Sequence, residues 1–442
     1  MSLKRLLVGF VVAVIVTGSA GAQTARKPAA PEHWVSTWAT ALQLIPPAPR
    51  RPPPATGAPA VPVAPGPPAP AASAPAPIGP PPHNLPQSFT DQTLRMVVRT
   101  SIGGRRIRIS LSNRLSAEPL SIGAAHLAVH AGHGAIAPNS GRPLTFSGEA
   151  SFVVPPGVLM LSDPVDLEVV PLTDLAVSLY LPGPTGPPSS HTIGTRTSYV
   201  ARGNVAAQAS LPADTATTTA YAWLSSVDVV APADAFSIVT FGDSITDGYA
   251  TTTDANRAWP ALLAQRLAGD KRTRHIAVVN QGISGNQVLR NGAGLSMLAR
   301  FDRDVLSRPG VKWVVLLGGI NDINISGRFG NDPLTAEQLI DGYEQIIARS
   351  RAHGIRVVGA TVTPQEGQRT ATAQGEEIRQ AANRWIRTSG RFDAVVDFDA
   401  AVRDPALPAR IRPDYDPGDH IHPNDAGNQA MAAAFELSVF AK

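Results

Sequence analysis

From Ala235 to the C-terminus, short apolar runs alternate with stretches of helical pattern, and few folds accommodate that rhythm. The runs are Phe236 to Phe241, Ile276 to Asn280, Trp313 to Leu317, Val357 to Thr361 and Ala394 to Phe398. Strands this uniformly apolar must be buried on both faces, which is the situation of a parallel sheet covered by helices on each side. Between the third and fourth runs, Thr335 followed three residues later by Gln338 resembles a capping box. It predicts a helix that runs to about His353 and stops at Gly354. A last helix is expected after Pro423-Asn424, running through Ala430 to Phe440. Residues 235–442 therefore predict a three-layer α/β domain, in which ligands bind at the carboxyl ends of the strands.

Polar clusters fall at those strand ends. The first run leads into Gly242-Asp243-Ser244-Ile245-Thr246-Asp247-Gly248, the second into Asn280-Gln281-Gly282-Ile283-Ser284-Gly285-Asn286 and the third into Gly318-Gly319-Ile320-Asn321-Asp322. A fourth cluster, Asp419-His420-Ile421-His422-Pro423-Asn424, precedes the last helix. Nucleophilic chemistry by a serine needs a base, a carboxylate that orients the base, and N–H donors aimed at the developing oxyanion. Ser244 can supply the hydroxyl at the sheet edge. His422, three residues after Asp419, can supply the base and its orienting carboxylate. The backbone N–H groups of Ser244 and Gly285 and the side-chain amide of Asn321 can supply the donors. His420 is the rival base, but the residue three before it is Pro417. Asp243, Asp247 and Asp322 read as loop braces, and Gly282 as a turn glycine. A Gly-Asp-Ser alone could be a plain helix N-cap. The G-x-S-x-G elbow of the α/β-hydrolases is not satisfied, because Thr246 stands where its second glycine would be.

In order and wording, the four clusters resemble the blocks of the SGNH (GDSL) hydrolase family over the roughly 200 residues from Phe236 onward. The resemblance implies a flavodoxin-like α/β/α fold, a catalytic triad of Ser244, His422 and Asp419, and an oxyanion hole of Ser244, Gly285 and Asn321. It implies a serine esterase that needs no metal or cofactor. The opening Trp34-Val35-Ser36-Thr37-Trp38 stretch and an additional β-rich region look like the xylan-esterase-like branch of that family. The implied substrate is an O-acetyl ester on polysaccharide. A broad short-chain esterase or lipase, and a non-catalytic carbohydrate-binding surface protein, are the alternatives.

The rest of the chain sets the context. Lys4 and Arg5, the apolar run Leu6 to Val16 and Ser19-Ala20-Gly21-Ala22 form the pattern of a signal peptide over residues 1–22, cleaved after Ala22. That pattern predicts a secreted or periplasmic enzyme with no membrane segment once the signal is removed. The run is shorter than the roughly 20 residues that span a bilayer. Residues 23–45 carry a strand pattern, His33 to Ala39. Residues 46–88 hold 18 of the 42 prolines and read as an extended, disordered insertion. Residues 89–230 show short alternating segments at Leu94 to Arg99, Arg105 to Leu111, Ser121 to Val129, Val165 to Val170 and Leu175 to Leu181, the pattern of a β-sandwich domain. His126, His130 and His133 lie there without acidic neighbours, and surface histidines are the expectation rather than a metal site. With no cysteine, disulfides and thiolate chemistry are excluded. A net charge of +4 without a basic block disfavours nucleic acid as a partner.

Overall fold

Five parallel strands form the central sheet of the C-terminal half in the order Ile276–Gly282, Phe236–Gly242, Val311–Leu317, Arg356–Ala360, Ala394–Val396. In chain order this is 2-1-3-4-5, a doubly wound arrangement whose order reverses between the first and third strands. The computed structural model describes residues 32–44, 85–328 and 330–441, so the expected signal peptide at 1–22 and the proline-rich insertion up to residue 84 lie outside the described residues.

Alternation along each strand explains the three layers. In Phe236–Gly242, Phe236 and Ile238 join Trp259, Leu263 and Leu267 of the helix Trp259–Gly269, with Met431 and Phe435 beside them. Val239 and Phe241 join Leu339, Tyr343, Ile346 and Ile347 of the helix Ala336–Ala352, and Ile378, Ala382 and Ile386 of the helix Ala373–Thr388. Each fully buried aliphatic or aromatic side chain of this kind contributes about 1.5–3 kcal/mol relative to exposure. The capping box is present, with the Gln338 N–H donating to Thr335 Oγ1 and the Thr335 N–H to Gln338 Oε1.

Several expected boundaries shift by a residue or two, and two elements stop short of their expected ends. The fifth strand ends at Val396, because Asp397 caps a short helix, Phe398–Val402, by accepting the Ala400 N–H. The last helix spans Asp425–Ala433, followed by a 3-10 turn at Leu437–Val439 instead of continuing to Phe440. Phe435 is the reason: it packs against Trp259, Phe398 and Phe440 in the core.

The N-terminal half is a β-rich region whose described residues form two larger antiparallel sheets and two smaller ones. One larger sheet contains Trp34–Ala39, Leu224–Val230, Gly104–Ser112, Leu159–Leu161 and Val165–Val169; the other is built around Gln92–Arg99, Asp174–Leu181 and Ala124–Gly132. Val35, Ile107, Ile109 and Val227 from the first and Leu94, Met96, Val98 and Val177 from the second share one apolar core. The expected strand Ser121 to Val129 is two strands, Leu120–Ile122 and Ala124–Gly132, with different partners. Among the described residues no group of three or more His, Cys, Asp or Glu side chains is placed to hold a metal ion, and no helix is long and apolar enough to cross a membrane.

The described residues from His33 onward fall within one compact unit. The β-rich region touches the α/β half along the strand Ile276–Gly282, the outer strand of the parallel sheet. There Ser101 Oγ accepts the Val278 N–H at 3.0 Å. Nearby, the Ser36 N–H donates to the Pro309 carbonyl at 3.0 Å.

Candidate active site

Ser244 lies two residues past the end of the first strand, on the carboxyl edge where the strand order reverses. Asp243 stops the strand and caps a one-turn helix, Ser244–Asp247, its Oδ1 accepting the Ile245 N–H at 3.0 Å. Gly248, at φ 106°, closes the turn. The Asp419–Asn424 loop meets this turn from the other end of the domain. His422 Nε2 lies 2.8 Å from Ser244 Oγ, and His422 Nδ1 lies 2.7 Å from Asp419 Oδ2. With Asp419 accepting from Nδ1–H, the bare Nε2 is left to accept the serine proton, which is the tautomer a general base needs.

Asp419 is held by more than the imidazole. Its Oδ1 accepts the N–H groups of Ile421 at 3.1 Å and His422 at 3.0 Å. Partial burial would raise this carboxyl, but the bonds from the ring and backbone of His422 outweigh it and hold the group below the usual carboxylate range. The carboxylate therefore stays charged beside the imidazole. Tyr249 packs its ring 4.2 Å from that of His422, tilted by 37°, and its N–H donates to the Ser244 carbonyl.

His420, the rival base, also has a carboxylate, contrary to the sequence expectation. Asp416, four residues earlier, lies 2.5 Å from His420 Nδ1. The His420 side chain is 48% exposed and its ring lies beside Gly367, whereas His422 is the histidine hydrogen-bonded to Ser244.

The other two strand ends form one connected loop system. Gly285 sits at φ 78°, a conformation that disfavours side chains. Asn321 lies in the first turn of the short helix Ile320–Asn324, and its Nδ2 donates to the carbonyl of Asn286, the residue after Gly285, at 2.9 Å. One amide hydrogen of Asn321 is thus fixed, which orients the other. Gly282 is not a turn residue: it ends the strand, pressed so closely on the helix that a Cβ there would lie 2.3 Å from the Asp247 nitrogen. The three acidic neighbours do brace loops. Asp322 accepts the N–H groups of Val288 and Leu289, and Asp247 accepts both the N–H and the hydroxyl of Ser284.

Arg300 ties these parts together from below. Fully buried, it donates to the Gly242 and Gln281 carbonyls, to Asn286 Oδ1 and to Asp304, with Phe241 under its guanidinium. Sequence reasoning missed Arg300, Tyr249 and His191, which reaches Asp247 from the β-rich region. Only Tyr249, five residues past Ser244, was near enough in the chain to be suspected.

Burial leaves two carboxyls poorly solvated here. Asp243 is pushed up to about 7, chiefly by burial, with Asp322 and Asp247 adding to it and the Ile245 N–H opposing it. Asp322 is pushed up to about 6, again chiefly by burial. Between about pH 4 and pH 7 folded Asp243 keeps a proton that the unfolded chain has released, so this group lowers stability as pH rises through that window. Asp243→Asn keeps the capping oxygen and removes the ionisation. Its melting temperature is expected to gain on the wild type between about pH 5 and about pH 8, by the equivalent of about 2–4 kcal/mol at the upper end. A difference that stays constant across the range would exclude ionisation of Asp243 as the cause.

Residues 240–430 match the GDSL-like Lipase/Acylhydrolase family. Similar solved structures include a lipolytic protein of the G-D-S-L family from Desulfitobacterium hafniense DCB-2, 21% identical, covering 47% of this chain and 99% of its own, with a TM-score of 0.35. An alpha/beta hydrolase enzyme from the metagenome of Lake Arreo, Spain, is 25% identical and covers 46% of this chain and 94% of its own, with a TM-score of 0.36. A carbohydrate acetylesterase from Sinorhizobium meliloti is 16% identical and covers 46% of this chain and 99% of its own, with a TM-score of 0.37. No curated protein matches the chain.

Proposed function

We propose that this chain, whose residues 240–430 match the GDSL-like lipase/acylhydrolase family, is an exported serine esterase acting on O-acetyl esters of polysaccharide. The observation that carries the reading is the hydrogen-bonded file from Asp419 through His422 to Ser244, at 2.7 and 2.8 Å.

In the first step His422 Nε2 takes the proton of Ser244 as Oγ bonds to the acetyl carbonyl carbon. Negative charge moves to the carbonyl oxygen, which the N–H groups of Ser244 and Gly285 and the amide of Asn321 stabilise. The carbon–oxygen bond to the sugar then breaks, and His422 returns its proton to the leaving alcohol. In the second step water attacks the acetyl-enzyme, giving its proton to His422, and acetate leaves as that proton passes back to Ser244. Asp419 holds the ring and offsets its charge throughout. No step calls for a metal or cofactor. Polysaccharide as substrate and export as destination are supported by the Trp34 to Trp38 stretch, the added β-rich region and the leader pattern of residues 1–22. We read that β-rich region as a sandwich.

The test is turnover. Purified enzyme is expected to hydrolyse p-nitrophenyl acetate and to release acetate from acetylated xylan, with longer acyl chains poorer in kcat/KM. An organophosphate is expected to label Ser244 and to stop both reactions. Equal rates on long and short synthetic esters, with none on acetylated xylan, would support the broad-esterase reading instead. An inert protein that still binds polysaccharide would support the carbohydrate-binding one.

A further inference from the structure

His191 belongs to the β-rich region, yet its side chain ends inside the catalytic half. It lies on the short strand Ser189–His191, and the residue is 3% exposed. Its Nε2 is 2.8 Å from Asp247 Oδ1 and 3.2 Å from the Ile193 carbonyl, and its Nδ1 is 2.9 Å from the Ala41 carbonyl. Both ring nitrogens therefore face oxygen acceptors, an arrangement that favours the doubly protonated imidazolium ring. Burial alone would pull this histidine toward its neutral form, but the charge of Asp247, together with the hydrogen bonds, holds it above the usual histidine value.

The other oxygen of Asp247 does separate work. Oδ2 accepts the Ser284 N–H at 2.9 Å and the Ser284 hydroxyl at 2.7 Å. Asp247 ends the turn that Ser244 begins, and Ser284 immediately precedes Gly285. A carboxylate this deeply buried is stabilised by a countercharge in contact with it.

We infer that His191 is a positioning residue for the esterase reaction, supplying from the β-rich region the charge that lets Asp247 lock the turn bearing Gly285 against the turn bearing Ser244. The inference rests on the proposed function, since it takes the Gly285 N–H as an oxyanion donor. Without the imidazolium, Asp247 releases Ser284 and the donor loses its fixed aim, which affects the transition state more than substrate binding.

The cavity at this place supplies a test beyond folding. His191 and Asp247 line a space of about 110 Å³ between the β-rich region and the helix Trp259–Gly269, together with Trp38, Tyr221 and Asn280. Removing the imidazole side chain enlarges it enough to admit free imidazole. His191→Ala is expected to lower kcat on p-nitrophenyl acetate by roughly 10–100-fold, with KM changed by less than about threefold. Added imidazole is expected to restore at least about tenfold of that loss in His191→Ala but not in Asp247→Asn, with Ser244→Ala in imidazole as the control for solution catalysis.

If His191→Ala does not fold, His191→Gln keeps a donor toward Asp247 without the charge and is expected to show the same kcat defect in smaller measure. A folded His191→Ala or His191→Gln enzyme with wild-type kcat overturns the inference. So does a kcat loss that follows the melting temperature and is indifferent to imidazole. Failure of the esterase reading would look different, because the wild type itself would then show no Ser244-dependent turnover.

Discussion

Ser244→Ala and His422→Ala are each expected to lower kcat on p-nitrophenyl acetate by roughly 10⁴–10⁶-fold, and the double variant to be no worse than either alone. Non-additivity follows from the geometry: one hydrogen bond, from Ser244 Oγ to His422 Nε2, carries the proton, and removing either end removes all of it. Asp419→Asn keeps the ring in contact but offers an amide where a carboxylate was, favouring the wrong tautomer, and is expected to cost about 10²–10⁴-fold. His420→Ala separates the two histidines. Its ring pairs with Asp416 away from the nucleophile, so kcat is expected to stay within about threefold of wild type. Rates measured by stopped assay over the four single variants and the double variant check the set. A His420→Ala enzyme as dead as His422→Ala would overturn the assignment of the base.

Arg300→Leu is expected to cost about 3–5 kcal/mol of folding stability, read as a shift in the urea midpoint, or to prevent recovery of soluble protein. Leucine fills part of the volume but leaves the Gly242 and Gln281 carbonyls and Asn286 Oδ1 without the donor they share. Burial already pulls the guanidinium down to about 10 despite Asp304, a sign of how poorly solvated the site is. Arg300→Lys retains charge but not the fork of donors, and is expected to recover less than half of the loss. A leucine variant as stable as wild type would mean that the strand ends hold themselves in place without this tie.

What the sequence revealed about the α/β half came from local signals. Uninterrupted apolar runs marked all five strands, Thr335 and Gln338 marked one helix start, and the spacing of Asp419 and His422 anticipated a contact that a single turn can make. The errors came where a distant partner overrode local preference. Alanines after Asn424 favour continued helix, but Phe435 has to reach Trp259 and Phe398. Leu224–Val230 did not read as a strand because Ser225, Ser226 and Asp228 interrupt it. Their polar groups are satisfied inside, Ser226 by Ser110 and Asp228 by Ser36 and Arg108. His420 lacked an obvious partner only because a spacing of three was sought where the chain uses four. The link from His191 to Asp247 has no local signature, since 56 positions separate two residues whose neighbours look ordinary.

The seam along Ile276–Gly282 has a practical corollary. The outermost strand of a parallel sheet offers bare N–H and C=O groups to any passing chain, a known invitation to aggregation. Here Ser101 occupies one of those positions, and Trp34–Ala39 lies alongside. A gene cut near residue 234 would strip that cover away and empty the socket beside Asp247 in the same stroke. The α/β half is therefore poorly suited to life as a free-standing module, and engineering that swaps one half must carry the other with it.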